Sequence, residues 1–307
     1  MSKKISETDS MKLNRIRRST NFLLNFIFLI LAIVCILPVM FVFIISISSK
    51  ESLMYHGYQI IPEGVSLDSY LFLWRERVIL LKSLGISIFV TLTGTILGLF
   101  LTTTMGYVLS RKNYKMNSLL TWVVFIPMIF NGGMLSSYVI NTNLLGLKNN
   151  ILALILPIAV SSFHVIICKT FFRTTIPDSI IESAKIDGAS QFRIFGQMVI
   201  PMSKPVLATI GLFLTFGYWN DWFLSSLYIS DKNMQSLQAL LNNIQKNIEY
   251  LAKNPAAGVS LQQYKNMMPQ EGVRMAIAIV IVFPIACAYP FFQKYFVSGL
   301  TIGAVKG

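Results

Sequence analysis

From Ser19 to Ser49 the chain carries no charged side chain, and five further apolar stretches follow it. A helix needs about 20 apolar residues to cross the roughly 30 Å hydrocarbon layer of a bilayer. Six runs of that kind can be placed, at Asn21–Ile47, Leu84–Leu109, Leu119–Ile140, Ile151–Phe172, Val206–Ser230 and Val273–Val297. Only 13% of the 307 residues are charged and 54% are hydrophobic, against about 25% charged in soluble domains. A soluble fold of this length cannot bury so much apolar surface, so lipid must be its solvent. The sequence therefore predicts an all-α polytopic membrane protein with six transmembrane helices. Pro38, Pro127, Pro157, Pro284 and Pro290 fall inside these runs. In a membrane bundle, neighbouring helices can satisfy the backbone groups such prolines free.

The formal charge of +13 would suit a nucleic-acid binder if it formed a patch. Instead the bases sit in short segments beside the apolar runs, as the positive-inside rule requires. Lys3, Lys4, Lys12, Arg15, Arg17 and Arg18 precede the first run, Arg111, Lys112 and Lys115 follow the second, and Lys169, Arg173, Lys185, Arg193 and Lys204 flank the fourth and fifth. The segments on the other side are nearly uncharged (Asn141–Asn150) or mixed in sign (Lys50–Lys82 and Asp231–Gly272). Both termini are predicted to be cytoplasmic. The first run is too long for a cleavable signal, and no small-residue cleavage site follows it. Cys35, Cys168 and Cys287 lie far apart inside apolar runs and read as inert buried thiols. His56 and His164 are isolated, with surface or packing roles. Asn131-Gly132-Gly133 should relax the third span near its middle. In the long external segment 231–272, Leu237, Leu240, Leu241, Ile244 and Ile248 recur at helical spacing, which predicts an amphipathic helix on or near the membrane surface.

One polar segment, 177–205, lies between the fourth and fifth runs on the cytoplasmic side. Pro177 suits a helix start, and Asp178 and Ser179 then occupy a first turn where the helix dipole favours negative charge. Ile180, Ile181 and Ala184 share one face, while Glu182 and Lys185 point elsewhere. Gly188 permits a sharp turn. A second helix should set Phe192, Phe195 and Val199 on one face and end at Pro201. A helix pair with an apolar face and a charged tip fits a groove on a soluble partner. Periodicity alone favours an ordinary amphipathic cytoplasmic connector.

Glu182-Ser183-Ala184, three residues, Gly188, nine residues, then Met198-Val199-Ile200-Pro201 resembles the coupling-loop motif of bacterial ABC-importer permeases, Glu-Ala-Ala, three residues, Gly, nine residues, Ile-x-Leu-Pro. Ser183 replaces an alanine; Met198 and Ile200 replace Ile and Leu. Tyr218-Trp219-Asn220-Asp221-Trp222-Phe223 is similar to an aromatic-Asn motif of carbohydrate-uptake permeases, and the tail Phe292–Gly307 looks like that of their maltose-permease-like branch. The resemblance runs from the first span to the end, and extends to the branch associated with complex oligosaccharides and aldouronates.

The resemblance implies a type I ABC importer permease fold in the bacterial cell membrane. It divides the chain into a basic cytoplasmic segment (1–20), a six-helix permease domain (21–302) and a cytoplasmic tail (303–307). It implies ATPase coupling through Glu182, Ser183, Ala184, Asp187, Gly188 and Pro201, and a tail contact with the ATPase through Gly303, Ala304, Val305, Lys306 and Gly307. The implied partners are a homologous permease, an ATPase dimer, an external or periplasmic sugar-binding protein, the sugar and membrane lipid. The implied product is uptake of an oligosaccharide, with the loop 231–272 reaching the binding protein. Tyr218, Trp219, Asn220, Asp221 and Trp222 are the candidate substrate-pathway residues, since an acid within a span is by default functional and aromatics beside polar groups suit sugars. For Asp221 an inter-helix hydrogen-bond lock or simple exposure at the membrane edge is favoured over sugar contact.

The chain has neither a phosphate-cradling Gly-x-x-x-x-Gly-Lys-Ser/Thr loop nor His-Glu-x-x-His. No catalytic residue, metal site or cofactor of its own is expected; ATP and Mg would bind the partner ATPase. An ion-driven secondary transporter would need acids within the spans, which apart from Asp221 are nearly bare of them. A membrane sugar transferase should show paired acids beside the spans, and past the N-terminus the cytoplasmic acids are Asp178, Glu182 and Asp187.

Overall fold

The computed structural model describes residues 18–111, 113–253 and 270–304. They are mostly helical, and the extended pairing among them is an isolated bridge between Ser48 and Val65. The helices are α1 (Arg18–Ser46), α2 (Lys50–His56), α3 (Asp68–Arg75), α4 (Arg77–Ser110), α5 (Asn117–Ile129), α6 (Gly133–Val139), α7 (Leu152–Ala159), α8 (Ser162–Thr175), α9 (Asp178–Ile186), α10 (Gln191–Met202), α11 (Lys204–Asn220), α12 (Phe223–Tyr228), α13 (Leu237–Lys253) and α14 (Gln270–Ala304). Two compact units share them, 18–72 with 270–279 and 73–253 with 280–304 among the described residues.

In the first unit, α1 is apolar all round, and of its residues Ile45 and Ser46 are buried. Lipid, not protein, is the natural neighbour of such a surface. The segment after α1 folds back on its end. Ser46 and Tyr70 share a hydroxyl hydrogen bond of 2.8 Å, Ser49 caps α2 by accepting from the Ser52 N–H, and Tyr58 donates to Glu271 at 3.0 Å.

The second unit is organised on α4, whose 34 residues span about 50 Å, more than the hydrocarbon thickness. One stripe of α4 is small and buried (Ser87, Thr91, Gly94, Thr102, Gly106), which lets α7, α8 and α11 approach closely. Gly94 lies against the Tyr218 ring, so that any Cβ there would overlap it. Phe172, Ile194 and Ile210 are fully buried in the core beside it.

Several of the sequence-assigned spans are broken rods. α1, α4 and the stretch Glu271–Pro290 of α14 are long and apolar enough to cross a bilayer alone. α7 and α8 meet at 48°, and α10 and α11 at 83°, and each bent pair also passes as one span. The third span is the short apolar helix α5, then Gly133 at φ +81°, then α6 closed by a π turn over Ile140–Leu144. Pro157 lies inside α7 and weakens it, since it offers no N–H and its ring crowds the carbonyl four residues back. The chain goes extended at Val160 two residues after Ile158. On the other side of the unit Asn149 adopts φ 54°, which asparagine tolerates best after glycine. Its side-chain oxygen accepts from the N–H groups of Ser230 and Asp231 at 3.1 and 2.9 Å, tying the ends of α7 and α12 together.

The amphipathic helix read at 237–248 exists as α13, but its apolar face is spent on protein. Leu237, Leu240, Leu241 and Ile248 are buried, and the Leu237 N–H donates to Ser87 of α4 at 2.8 Å. Of the three thiols, Cys168 is buried, whereas Cys35 and Cys287 lie on the helix surface.

Candidate functional site

The segment 177–205 folds as a helix, a turn and a helix. Pro177 precedes α9, and Asp178 opens it. Gly188 takes φ +78° with nothing within 4 Å of where a Cβ would be, so the backbone conformation and not space requires glycine there. Ser190 caps α10 by accepting from the Arg193 N–H at 3.3 Å. Inside α10 a π turn covers Phe195–Val199. Five residues then close one turn, and the helical phase slips. The slip corrects the expected face: Ile194 and Val199 are buried, while Phe192 is 89% exposed. The second helix continues through Pro201 to Met202.

Ile181 and Ala184 pack inward, so Ala184 holds α9 in place and offers no contact surface. Glu182, Ser183, Asp187, Gly188 and Pro201 are exposed. Ile186, at the end of α9, is 87% exposed. The tip thus presents two bare apolar side chains, Ile186 and Phe192, among Glu182, Lys185 and Asp187. Neither had been singled out from the sequence as a tip residue. The segment is held from behind by the end of α4. Arg111 pairs with Asp178 at 3.2 Å, and the Tyr107 ring lies 5.2 Å from that of Phe195.

The five candidate pathway residues do not form one cluster. Tyr218 and Asp221 line a cavity of about 510 Å³. Tyr218 is buried there and donates to the Ile155 carbonyl at 2.7 Å. The Asp221 carboxylate accepts from the Leu224 N–H at 3.2 and 3.4 Å, satisfying the start of α12. Trp219 is buried elsewhere, its indole N–H bonded to the Ile281 carbonyl at 3.2 Å. Asn220 bonds back to the Phe216 carbonyl of its own helix, and Trp222 lies under the Lys246 ammonium, 5.1 Å from the ring centre.

The cavity is further lined from the break between α7 and α8 by Ser161, Ser162, Phe163 and His164, by Phe213 of α11, and by Pro127 and Met128 of α5. His164 stacks on Phe213 at 5.7 Å, which is the packing role the sequence suggested, in a place it did not. The signal available was Val160-Ser161-Ser162 interrupting an apolar run shortly after Pro157. Of the tail, Gly303 and Ala304 end α14, while Val305, Lys306 and Gly307 lie outside the described residues. No three His, Cys, Asp or Glu side chains come together as a metal site among the described residues.

Residues 94–302 match the protein family described as "Binding-protein-dependent transport system inner membrane component". The chain is 38% identical to Protein LplC of Bacillus subtilis (strain 168), over 89% of this chain and 90% of that protein. It is 36% identical to the polygalacturonan/rhamnogalacturonan transport system permease protein YtcP of the same organism, over 91% and 95%. A solved bacterial ABC transporter involved in the import of the acidic polysaccharide alginate contains a chain of similar structure, with a TM-score of 0.77, 26% identity, and coverage of 92% of this chain and 99% of that one.

Proposed function

Because the chain belongs to the family of binding-protein-dependent transport system inner membrane components, we propose that it is one of two permease subunits of an ATP-driven carbohydrate importer, coupled to its ATPases through residues 177–205. Members of this family are multi-pass proteins of the cell membrane and are not enzymes; ATP hydrolysis belongs to partner subunits. In this reading residues 21–302 form the permease domain with six spans, two of them the bent pairs, and residues 1–20 and 303–307 are cytoplasmic. The partners are a homologous permease, an ATPase dimer that binds ATP and Mg, and an external sugar-binding protein. YtcP and the alginate transporter handle saccharide polymers, which supports an oligosaccharide as cargo.

The observation that carries the reading is the tip of the helix–turn–helix. Exposed apolar side chains cost free energy unless something covers them. Burying a side chain of this size stabilises a complex by about 1.5–3 kcal/mol. Ile186 and Phe192, bare at 87% and 89% beside Glu182 and Asp187, form a knob for a groove on a soluble partner. When the ATPases close, the knobs of the two permeases are drawn together and the cavity changes sides, an alternating-access cycle. The ion-driven alternative would use Asp221, whose carboxylate is already engaged at the start of α12.

Affinity purification of the chain from its native membrane in mild detergent should bring down a second permease, an ATPase and a solute-binding protein. Ile186→Asp with Phe192→Asp should leave the two permeases together and lose the ATPase, at least a tenfold drop in co-purified ATPase. Full retention of the ATPase would refute the docking assignment. The loop reading has its own check. Residues 254–269 lie outside the described residues, and deleting 254–263 should abolish uptake while the complex still assembles. Unchanged uptake would exclude a binding-protein contact there.

A further inference from the structure

We propose that Tyr107 and Arg111, one helical turn apart at the end of α4, are positioning residues that grip both halves of the coupling segment and carry its displacement into the helix bordering the cavity. The proposal rests on the coupling reading above. Arg111 holds the first half. One guanidinium nitrogen donates to the Asp178 carboxylate at 3.2 Å, another to the Phe172 carbonyl at 3.4 Å, and its Nε to Ser110 Oγ at 3.0 Å. Only the planar fork of arginine reaches three acceptors at fixed angles; a lysine ammonium is a single point charge. Tyr107 holds the second half, beyond the Gly188 turn. Its hydroxyl donates a long bond of 3.5 Å to Gln191 Oε1, and its ring meets Phe195. The two grips are themselves joined, because the Arg111 guanidinium lies 5.2 Å from the centre of the Tyr107 ring. Asn117 fixes the end of α4 by donating to the carbonyls of Leu109 and Arg111 at 3.0 and 2.7 Å.

A movement of the helix–turn–helix about Gly188 must therefore pull on α4 from both sides of the turn. α4 is one unbroken helix. About 25 Å further along its axis, Gly94 lies against the ring of Tyr218, and Gly98 against the Ala159 carbonyl. Tyr218 is part of the cavity wall, and Ala159 is the last residue of α7 before the break that opens into it. α8 and α11 also run from the coupling segment to the cavity, but α4 is the helix that touches both sides of the Gly188 turn, through Asp178 and Phe195, and also packs on Tyr218. The Arg111–Asp178 pair itself has one partner largely in water, with the Asp178 side chain 65% exposed. Such pairs contribute little to global stability, so breaking it tests geometry without unfolding the chain.

The test uses the complete complex in proteoliposomes. The native cysteines are replaced, and Ser161→Cys in the cavity is labelled with a membrane-impermeant maleimide. Trapping the ATPases closed with ATP and vanadate, in the presence of the binding protein, should change the labelling rate at least fivefold when Tyr107 and Arg111 are intact. Arg111→Ala with Tyr107→Leu should reduce that change to less than twofold while vanadate-sensitive hydrolysis continues. Asp178→Asn should give an intermediate value. Exchanging the pair, Arg111→Asp with Asp178→Arg, should restore more of the change than Arg111→Asp alone retains. A full change in the Tyr107 and Arg111 variants, or loss of assembly and hydrolysis in Asp178→Asn as well, overturns the clamp. No change even with both residues intact overturns the coupling reading and the clamp with it.

Discussion

Gly188→Pro is expected to reduce uptake more than tenfold while leaving the membrane helices folded. Proline holds φ near −65°, and the turn between α9 and α10 needs +78° at this position. The substitution also removes the Gly188 N–H, which donates to the Lys185 carbonyl at 3.0 Å. Both losses fall on the turn that sets the angle between the two short helices, so Ile186 and Phe192 can no longer be presented together. Gly188→Ala is the graded control. No atom stands in the way of its methyl group, and the left-handed backbone costs an alanine about 1–2 kcal/mol. It should keep most of the activity. Uptake and ATP hydrolysis measured side by side decide the matter. A proline variant that transports normally would remove the turn from the mechanism.

Gly94→Ala is expected to lower the melting temperature of the purified chain in detergent, because its methyl carbon would occupy space filled by the Tyr218 ring. Overpacking of this kind costs about 1–3 kcal/mol. Displacing the ring also endangers the hydroxyl bond to the Ile155 carbonyl, about 1 kcal/mol more. At roughly 2–4 °C per kcal/mol, a fall on the order of 5–10 °C follows. Tyr218→Ala destabilises for a different reason, by leaving a void. Combined, the two should cost clearly less than their sum, since the small side chain makes room for the methyl group. Strict additivity would mean that the helices separate and relieve the contact in another way.

The spans were legible because a long apolar run is a local property: α1, α4 and the first two-thirds of α14 lie close to where hydropathy put them. The breaks were not. Pro157 sits within an apolar run like Pro284 and Pro290, which α14 contains without ending, so proline alone does not mark the break; the serines after Val160 are the weak local signal for it. The turn at Gly188 was readable from the glycine itself, but the face of Phe192 was not, because the π turn after it lets Ile194 and Val199 share the buried face and leaves Phe192 on the opposite one. Trp219 read as a pathway residue because its neighbours are polar and aromatic. Its partner, the Ile281 carbonyl, is 62 positions away in sequence. Arg111 was visible only as one base among three that orient the chain, since two of its acceptors, the Phe172 carbonyl and the Asp178 carboxylate, lie more than sixty positions away in sequence.

The interrupted rod of α7 and α8 has one more consequence. The Ser161 side chain does not cap the start of α8, so the first N–H groups of that helix, whose residues Ser162 and Phe163 line the cavity, lack intrahelical partners. Hydrocarbon cannot satisfy them. Water is the partner left for them, so the break between α7 and α8 gives the cavity a polar, hydrated edge in the middle of an otherwise apolar run.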